Sequence, residues 1–287
     1  MISSETQRVS SSDGYPLVAT VFRSLAHPVE QVVLIAGAMG VRQIHYYDFA
    51  EFVAEPGCAV ITFDYRGVGS SAPASLRGFE ADLEDWGRRD LAAMIDYATT
   101  LFTGRRLSLV AHSVGGQLLG LAASAGAVSR VLALGSQSGY WRHWAGLYRW
   151  RVWLLWHVVI PLSTRLFGYF PARRLGLGED LPRGVACRWA FWGRCPQYVI
   201  GRIDAPSRLG YRQWQGRLRA LTAEDDTFAT EASVRAFIDF FPAARTEFGL
   251  LRPRDYGVPS IGHFGYFRAT GTQRLWPSWL AWLRAGD

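Results

Sequence analysis

Leu109-Val110-Ala111-His112-Ser113-Val114-Gly115-Gly116 joins an apolar run to a helix-forming one through a single serine. The run from Leu107 to Ala111 has the composition of a parallel strand buried on both faces. It stops at Ser113, and a helix is predicted over Gln117 to Ser124. Small-X-Ser-X-Gly between strand and helix is the pattern of a nucleophile elbow, a sharp turn that presents a serine hydroxyl above the sheet. Small neighbours are needed because the serine backbone is strained and its neighbours pack against the helix start. The same residues would also suit a serine that caps a helix after a buried strand. The rest of the chain separates these two readings.

Strand-like and helix-like runs alternate on both sides of the elbow. Val9 to Ser12 and Leu17 to Phe22, separated by Asp13-Gly14, read as a hairpin of outer strands. Gln31 to Ala36 is a continuous apolar run that ends in Gly37-Ala38-Met39-Gly40, and a helix is predicted over Ile44 to Ala54. Ala59 to Phe63 leads into Asp64-Tyr65-Arg66-Gly67-Val68-Gly69-Ser70-Ser71, then into an amphipathic helix carrying Leu83, Trp86, Leu91, Met94 and Ile95. Val128 to Leu134, Leu218 to Ala223 and Thr246 to Leu251 read as further strands, with a helix over Glu231 to Phe240 and a closing one over Gln273 to Arg284. Such alternation predicts a parallel sheet wrapped on both faces by right-handed crossovers. Sheets of that kind place ligands beyond the C-terminal ends of their strands. The Gly37 loop, the Asp64 loop and Ser113 all fall at such ends.

Composition narrows the class. Hydrophobic residues make up 49% of the 287 residues and charged residues 19%, the balance of a core-forming globular chain. Cys58, Cys187 and Cys195 show no CxxC spacing, so neither a disulfide framework nor a zinc site is expected. No apolar run reaches the roughly 18 residues of a membrane span, and Met1-Ile2-Ser3-Ser4-Glu5-Thr6 has no signal-peptide pattern. A cytoplasmic protein without stable membrane insertion is the expectation.

Residues 139–216 depart from the rest. They hold eight of the twelve tryptophans and twelve arginines against Glu179, Asp180 and Asp204, so they carry +9 in a chain whose net charge is +7. The division expected is 1–138 as the first part of a core, 139–216 as a helical cap, and 217–287 as the second part. Arginine with aromatics can serve nucleic acid, a membrane surface or an acidic substrate. The simpler expectation is that Trp141 and Trp144, Trp150 with Trp153 and Trp156, and Trp189 with Trp192 form the cap's core and pocket roof, with the arginines solvated outside. No nucleic-acid partner is therefore expected.

A serine hydroxyl is a weak nucleophile that needs a base within hydrogen-bond reach, and histidine suits the role. His263 is the only histidine after the acids that end the Leu218 strand. Asp225 and Asp226 are adjacent there, and Asp226, followed by Thr-Phe-Ala-Thr, is preferred because it leaves the strand late enough to turn toward the site. Acyl chemistry also needs donors for an oxyanion: the Val114 N–H is one, and the Ala38 N–H, with Met39 second, is the other. The Asp64–Gly69 loop reads as structural, with Arg66 fixing it. No phosphate loop or clustered metal-ligand set is present in a fitting context, so no cofactor or metal is expected.

Gly37-Ala38-Met39-Gly40, Asp64 to Ser71, Ala111-His112-Ser113-Val114-Gly115-Gly116, Asp225-Asp226 and Gly262-His263-Phe264-Gly265-Tyr266-Phe267-Arg268 together resemble the α/β-hydrolase superfamily. Within it the chain looks most like bacterial predicted hydrolases of the serine aminopeptidase (monoglyceride-lipase-like) group, from about residue 8 onward. The resemblance implies an eight-stranded, mostly parallel sheet and a Ser113–Asp226–His263 triad. Ala36-Gly37 stands where many relatives have His-Gly, which puts the oxyanion loop apart from theirs. The function expected is a serine hydrolase cleaving a small-molecule carboxylic ester with an apolar acyl or alcohol part. An acyltransferase or an amide or thioester hydrolase on the same triad is the alternative, and a non-catalytic ligand-binding protein on the same fold comes third.

Overall fold

The computed structural model describes residues 1–286. Its centre is a sheet of eight strands: β1 (Ile2–Ser10), β2 (Pro16–Ser24), β3 (Gln31–Ala36), β4 (Cys58–Phe63), β5 (Arg106–His112), β6 (Val128–Leu134), β7 (Arg217–Ala223) and β8 (Arg245–Leu251). Their spatial order is β1-β2-β4-β3-β5-β6-β7-β8. Only β2 runs against the rest, pairing antiparallel with β1 and β4. The other pairs are parallel, as strand–helix–strand crossovers require. Every residue of β3 and β4 is buried, which explains why both read as unbroken apolar runs rather than alternating ones.

The main helices are α1 (Tyr47–Ala54), α2 (83–101), the short α3 (Val114–Gln117), α4 (146–167), α5 (Arg183–Gly193), α6 (Ala205–Gln213), α7 (Glu231–Ile238) and α8 (Trp276–Arg284). Two of them are interrupted by a π turn, α2 at Trp86–Leu91 and α4 at Leu155–Val159. The first π turn holds Asp90, which is buried and receives the Arg66 Nε (2.7 Å) and the Arg66 backbone N–H (3.0 Å). Burial pushes the Asp90 carboxyl up to about 6 against the pull of that guanidinium. Arg66 also reaches Asp13, and Trp86 Nε1 donates to the Arg66 carbonyl, so the loop after β4 is tied down from three directions.

The helix expected over Gln117–Ser124 is shorter than the sequence suggests. The Tyr211 hydroxyl donates to the Gln117 carbonyl at 2.6 Å, taking the acceptor that the Leu121 N–H would use in a continuing α-helix. Leu121 N–H turns instead to the Leu118 carbonyl, and the chain proceeds as a 3₁₀ turn over Leu119–Leu121. The terminating residue lies on α6, far along the chain, where no local pattern could announce it.

Residues 139–216 connect β6 to β7 and contain α4, α5 and α6 with a two-residue strand pair at Tyr169–Phe170 and Leu181–Pro182. Their loop around Gly178 docks on the loop after β3, where Glu179 N–H donates to the Gly40 carbonyl at 2.7 Å. Among the described residues no helix is long and apolar enough to cross a membrane.

Candidate active site

Ser113 follows the last residue of β5 and precedes the first of α3, with φ 52° and ψ −115°. Ser113 and Tyr198 are the non-glycine residues with positive φ among those described. A serine keeps that conformation only where its surroundings leave no alternative. Gly115 supplies the constraint: a Cβ there would overlap the Ala36 carbonyl oxygen, so α3 lies directly on the end of β3. The Ser113 N–H is held by the Leu134 carbonyl at 3.0 Å.

The loop after β8 brings His263 to the ends of β6 and β7. Its Nδ1 lies 2.8 Å from Asp226 Oδ2. Asp226 Oδ1 accepts the backbone N–H groups of Phe228 and Ala229, both at 2.8 Å, and Oδ2 also accepts the Tyr266 hydroxyl at 2.9 Å. An ionised carboxylate only accepts hydrogen bonds, so the imidazole proton sits on Nδ1 and the Nε2 lone pair is free to act as a base. The ring rests against Gly135, whose φ of 60° and missing side chain make room for it; a Cβ there would stand 3.0 Å from His263 Cε1. Phe228 and Phe264 flank the imidazole with ring centroids 5.2 and 5.1 Å away.

Asp225 takes a different position. It accepts Ser260 Oγ (2.8 Å), Ile261 N–H (2.9 Å) and Gly262 N–H (3.0 Å), and so anchors the loop that carries His263. Its partial burial would raise the carboxyl, but the bonds from Gly262, Ser260 and Ile261 outweigh that and hold it below the usual carboxylate range. The structure thus joins His263 to Asp226 directly and to Asp225 through the loop backbone.

Ser113 Oγ is turned toward Gln137, donating to its Oε1 at 3.4 Å, and makes no hydrogen bond to His263 in this conformation among the described residues. Gln137 itself is fixed by Gln117, whose Nε2 reaches the Gln137 carbonyl at 2.7 Å and whose Oε1 accepts the Tyr198 hydroxyl at 3.0 Å.

The loop after β3 differs from its expected arrangement. The Ala38 N–H, expected to face an oxyanion, is donated to the Tyr46 hydroxyl at 2.8 Å. Tyr46 O lies 3.0 Å from His112 Nδ1, and His112 Nε2 lies 2.9 Å from the His263 carbonyl oxygen. A carbonyl can only accept, so His112 carries its proton on Nε2 and Tyr46 donates to Nδ1. Every group in this sealed chain is satisfied only while His112 is neutral. Val114 and Met39 N–H groups make no hydrogen bond among the described residues.

Burial, and then the neighbouring His263, push His112 down to about 3 from its ordinary 6.5. Between those two values the unfolded chain takes a proton that the folded chain refuses. The stability His112 contributes is therefore complete above pH 6.5 and is lost as pH falls toward 3, by up to about 1.4 kcal/mol per pH unit. Urea unfolding at pH 7.5, 6 and 5 should show this acid slope in the wild type. The slope should be shallower in His112→Gln, which keeps a donor for the His263 carbonyl but cannot charge; equal slopes would show that His112 does not govern it.

Beside Gln137 and Phe228 a cavity of about 460 Å³ opens under α4, lined by Trp144, Tyr148, Val152, Leu155, Trp156 and Trp189 among others. The tryptophans only partly meet expectation. Trp144, Trp156, Trp192 and Trp214 are buried, but Trp150 is 60% exposed and Trp153 lies half-buried beside it, stacked on His157 at 4.7 Å. Helical spacing groups Trp150, Trp153 and Trp156 on neighbouring positions, yet α4 turns only the Trp156 side inward.

Comparison with known proteins agrees with this architecture. The sequence profile of the alpha/beta hydrolase fold family matches residues 31–156. No curated protein matches by sequence. Among solved structures, a soluble variant of the monoglyceride lipase from Saccharomyces cerevisiae is similar at 14% identity, over 98% of this chain and 94% of that one, with a TM-score of 0.71. An esterase from Exiguobacterium antarcticum is similar at 15% identity, over 98% and 100%, with a TM-score of 0.62. An N-formylmaleamic acid deformylase from Pseudomonas putida S16 is similar at 14% identity, over 94% and 98%, with a TM-score of 0.57. The chain has the α/β-hydrolase fold.

Proposed function

We propose that this chain is a serine hydrolase that cleaves a carboxylic ester through an acyl-enzyme. The observation that carries the reading is the combination at three strand ends: a serine in a strained elbow, a histidine whose proton is fixed on Nδ1, and the buried carboxylate that fixes it. The Ser113 hydroxyl swings from Gln137 to His263 Nε2, gives up its proton there and attacks the ester carbonyl. The tetrahedral oxyanion is held by the Val114 N–H and, from the loop after β3, by the Met39 N–H; the Ala38 N–H is committed to Tyr46. Collapse breaks the C–O bond, and the leaving alcohol takes the proton from His263. Water then enters, loses a proton to Nε2, attacks the acyl-enzyme and releases the acid with Ser113 restored. Residues 139–216 act as the cap, and the apolar cavity beneath α4 is the place for an apolar acyl or alcohol group.

A fluorophosphonate probe should label the protein once, and mass mapping should put the adduct on the peptide containing Ser113. An adduct elsewhere, or none on folded protein, would overturn the assignment. Amide hydrolysis on the same residues is the second reading, favoured by the likeness to a deformylase. Paired ester and amide substrates with a common acyl group, assayed for released acid, distinguish it.

A further inference from the structure

The outer face of α4 is apolar and open to solvent. Leu147 (77% exposed), Trp150 (60%), Leu154 (46%), Val158 (39%), Leu162 (54%) and Leu166 (65%) form a stripe along it. Steps of four residues drift by about 40° around an α-helix. The wider π turn at Leu155–Val159 takes back part of that drift and keeps the stripe on one side. From 146 to 167 the helix is about 33 Å long at 1.5 Å per residue, and it contains no acid. Its inner face is apolar too, with Val152, Leu155 and Trp156 lining the cavity. A helix apolar on both sides belongs where neither side meets bulk water.

The charges beside the stripe say what kind of surface covers it. Arg149 and Arg165 on α4, and Arg174 just beyond it, are exposed and form no ion pair among the described residues. A second copy of the chain docked face to face would bring these like charges together around the contact. An anionic surface would neutralise them while taking up the leucines and Trp150, the side chain best suited to a headgroup boundary.

We propose that α4 is a peripheral docking face for anionic lipid bilayers, lying in the membrane plane with the Leu147–Leu166 stripe in the headgroup boundary and Arg149, Arg165 and Arg174 on lipid phosphates. The helix rests on the bilayer and does not span it. Near an anionic surface each arginine adds attraction that salt weakens.

Sedimentation with vesicles of phosphatidylcholine, with or without 30% phosphatidylglycerol, tests the proposal on the full chain. Binding should be at least tenfold stronger with phosphatidylglycerol, should weaken on raising salt, and should blue-shift tryptophan emission. Leu147→Ser/Leu154→Ser/Leu162→Ser and Arg149→Gln/Arg165→Gln should each lose tenfold or more in binding, while circular dichroism and fluorophosphonate labelling stay as in the wild type. Absence of binding to either vesicle would overturn the proposal, as would equal binding to both. So would lipid-independent self-association that the serine variant abolishes, since the stripe would then serve a second copy of this chain.

Discussion

Asp226→Asn is expected to lower kcat/KM on a chromogenic ester by about four orders of magnitude, close to the loss from Ser113→Ala. The size follows from which way the new amide must face. Its oxygen has to replace Oδ1, because two backbone N–H groups, from Phe228 and Ala229, point there at 2.8 Å. The amide nitrogen then faces His263 Nδ1 and can only donate. That forces the imidazole proton onto Nε2, the atom that accepts the serine proton in the proposed mechanism, and the proposed base is switched off with its position unchanged. Asp225→Asn meets a different environment. It weakens part of a three-bond anchor on Ser260, Ile261 and Gly262, so the expected loss is about tenfold, accompanied by a drop in stability of ~1–2 kcal/mol. Steady-state kinetics and urea unfolding of both variants check the pair. A four-order loss in Asp225→Asn with a mild effect in Asp226→Asn would reverse their roles.

That contrast marks where local sequence carries information and where it does not. The elbow is legible because its requirements are local: small residues at 111, 115 and 116 around a serine, between a largely apolar run and a helix start. Buried strands such as β3 and β6 are legible for the same reason, since both faces demand apolar side chains and the observed ends match the apolar runs. Asp225 and Asp226 are adjacent acids that sequence separates only by how late each leaves the strand. Their roles are set by where the His263 loop arrives, from 37 residues further along the chain. The Ala38 N–H is captured by Tyr46, in the 3₁₀ turn just before α1, and nothing in Gly37-Ala38-Met39-Gly40 signals it. Gln137 and Gln117, which hold the serine hydroxyl in this conformation, lie outside any motif, and their contact depends on Tyr198 and Tyr211 from the β6–β7 connection. Trp150 illustrates the opposite error. Periodicity reports that a face is apolar but not whether the protein or some other surface covers it.

Gly115→Ala tests the geometric core of the elbow with a single methyl group. Its backbone conformation is not left-handed, so the cost is one of space alone. The methyl would overlap the Ala36 carbonyl oxygen and come within 2.8 Å of the carbonyl carbon. These are backbone atoms, and no rotamer change can move them aside. Ala36 ends β3 and is paired with Ala111 of β5, so relief requires opening the two central strands of the sheet where the serine emerges. A destabilisation of ~4 kcal/mol or more is expected, in the range reserved for core strain, read as a large fall in the urea midpoint or in the yield of folded protein. Whatever fraction folds should lose activity more steeply than stability, because displacing the end of β3 also displaces the loop carrying Met39 relative to Ser113. Gly126→Ala is the matched control: no atom lies within 4 Å of its added methyl and its φ is not positive. It should leave activity unchanged and shift stability by less than ~1 kcal/mol, in the favourable direction if the unfolded chain loses entropy. Tolerance of alanine at both positions would mean that α3 does not press on β3, and the strained serine would then need another cause.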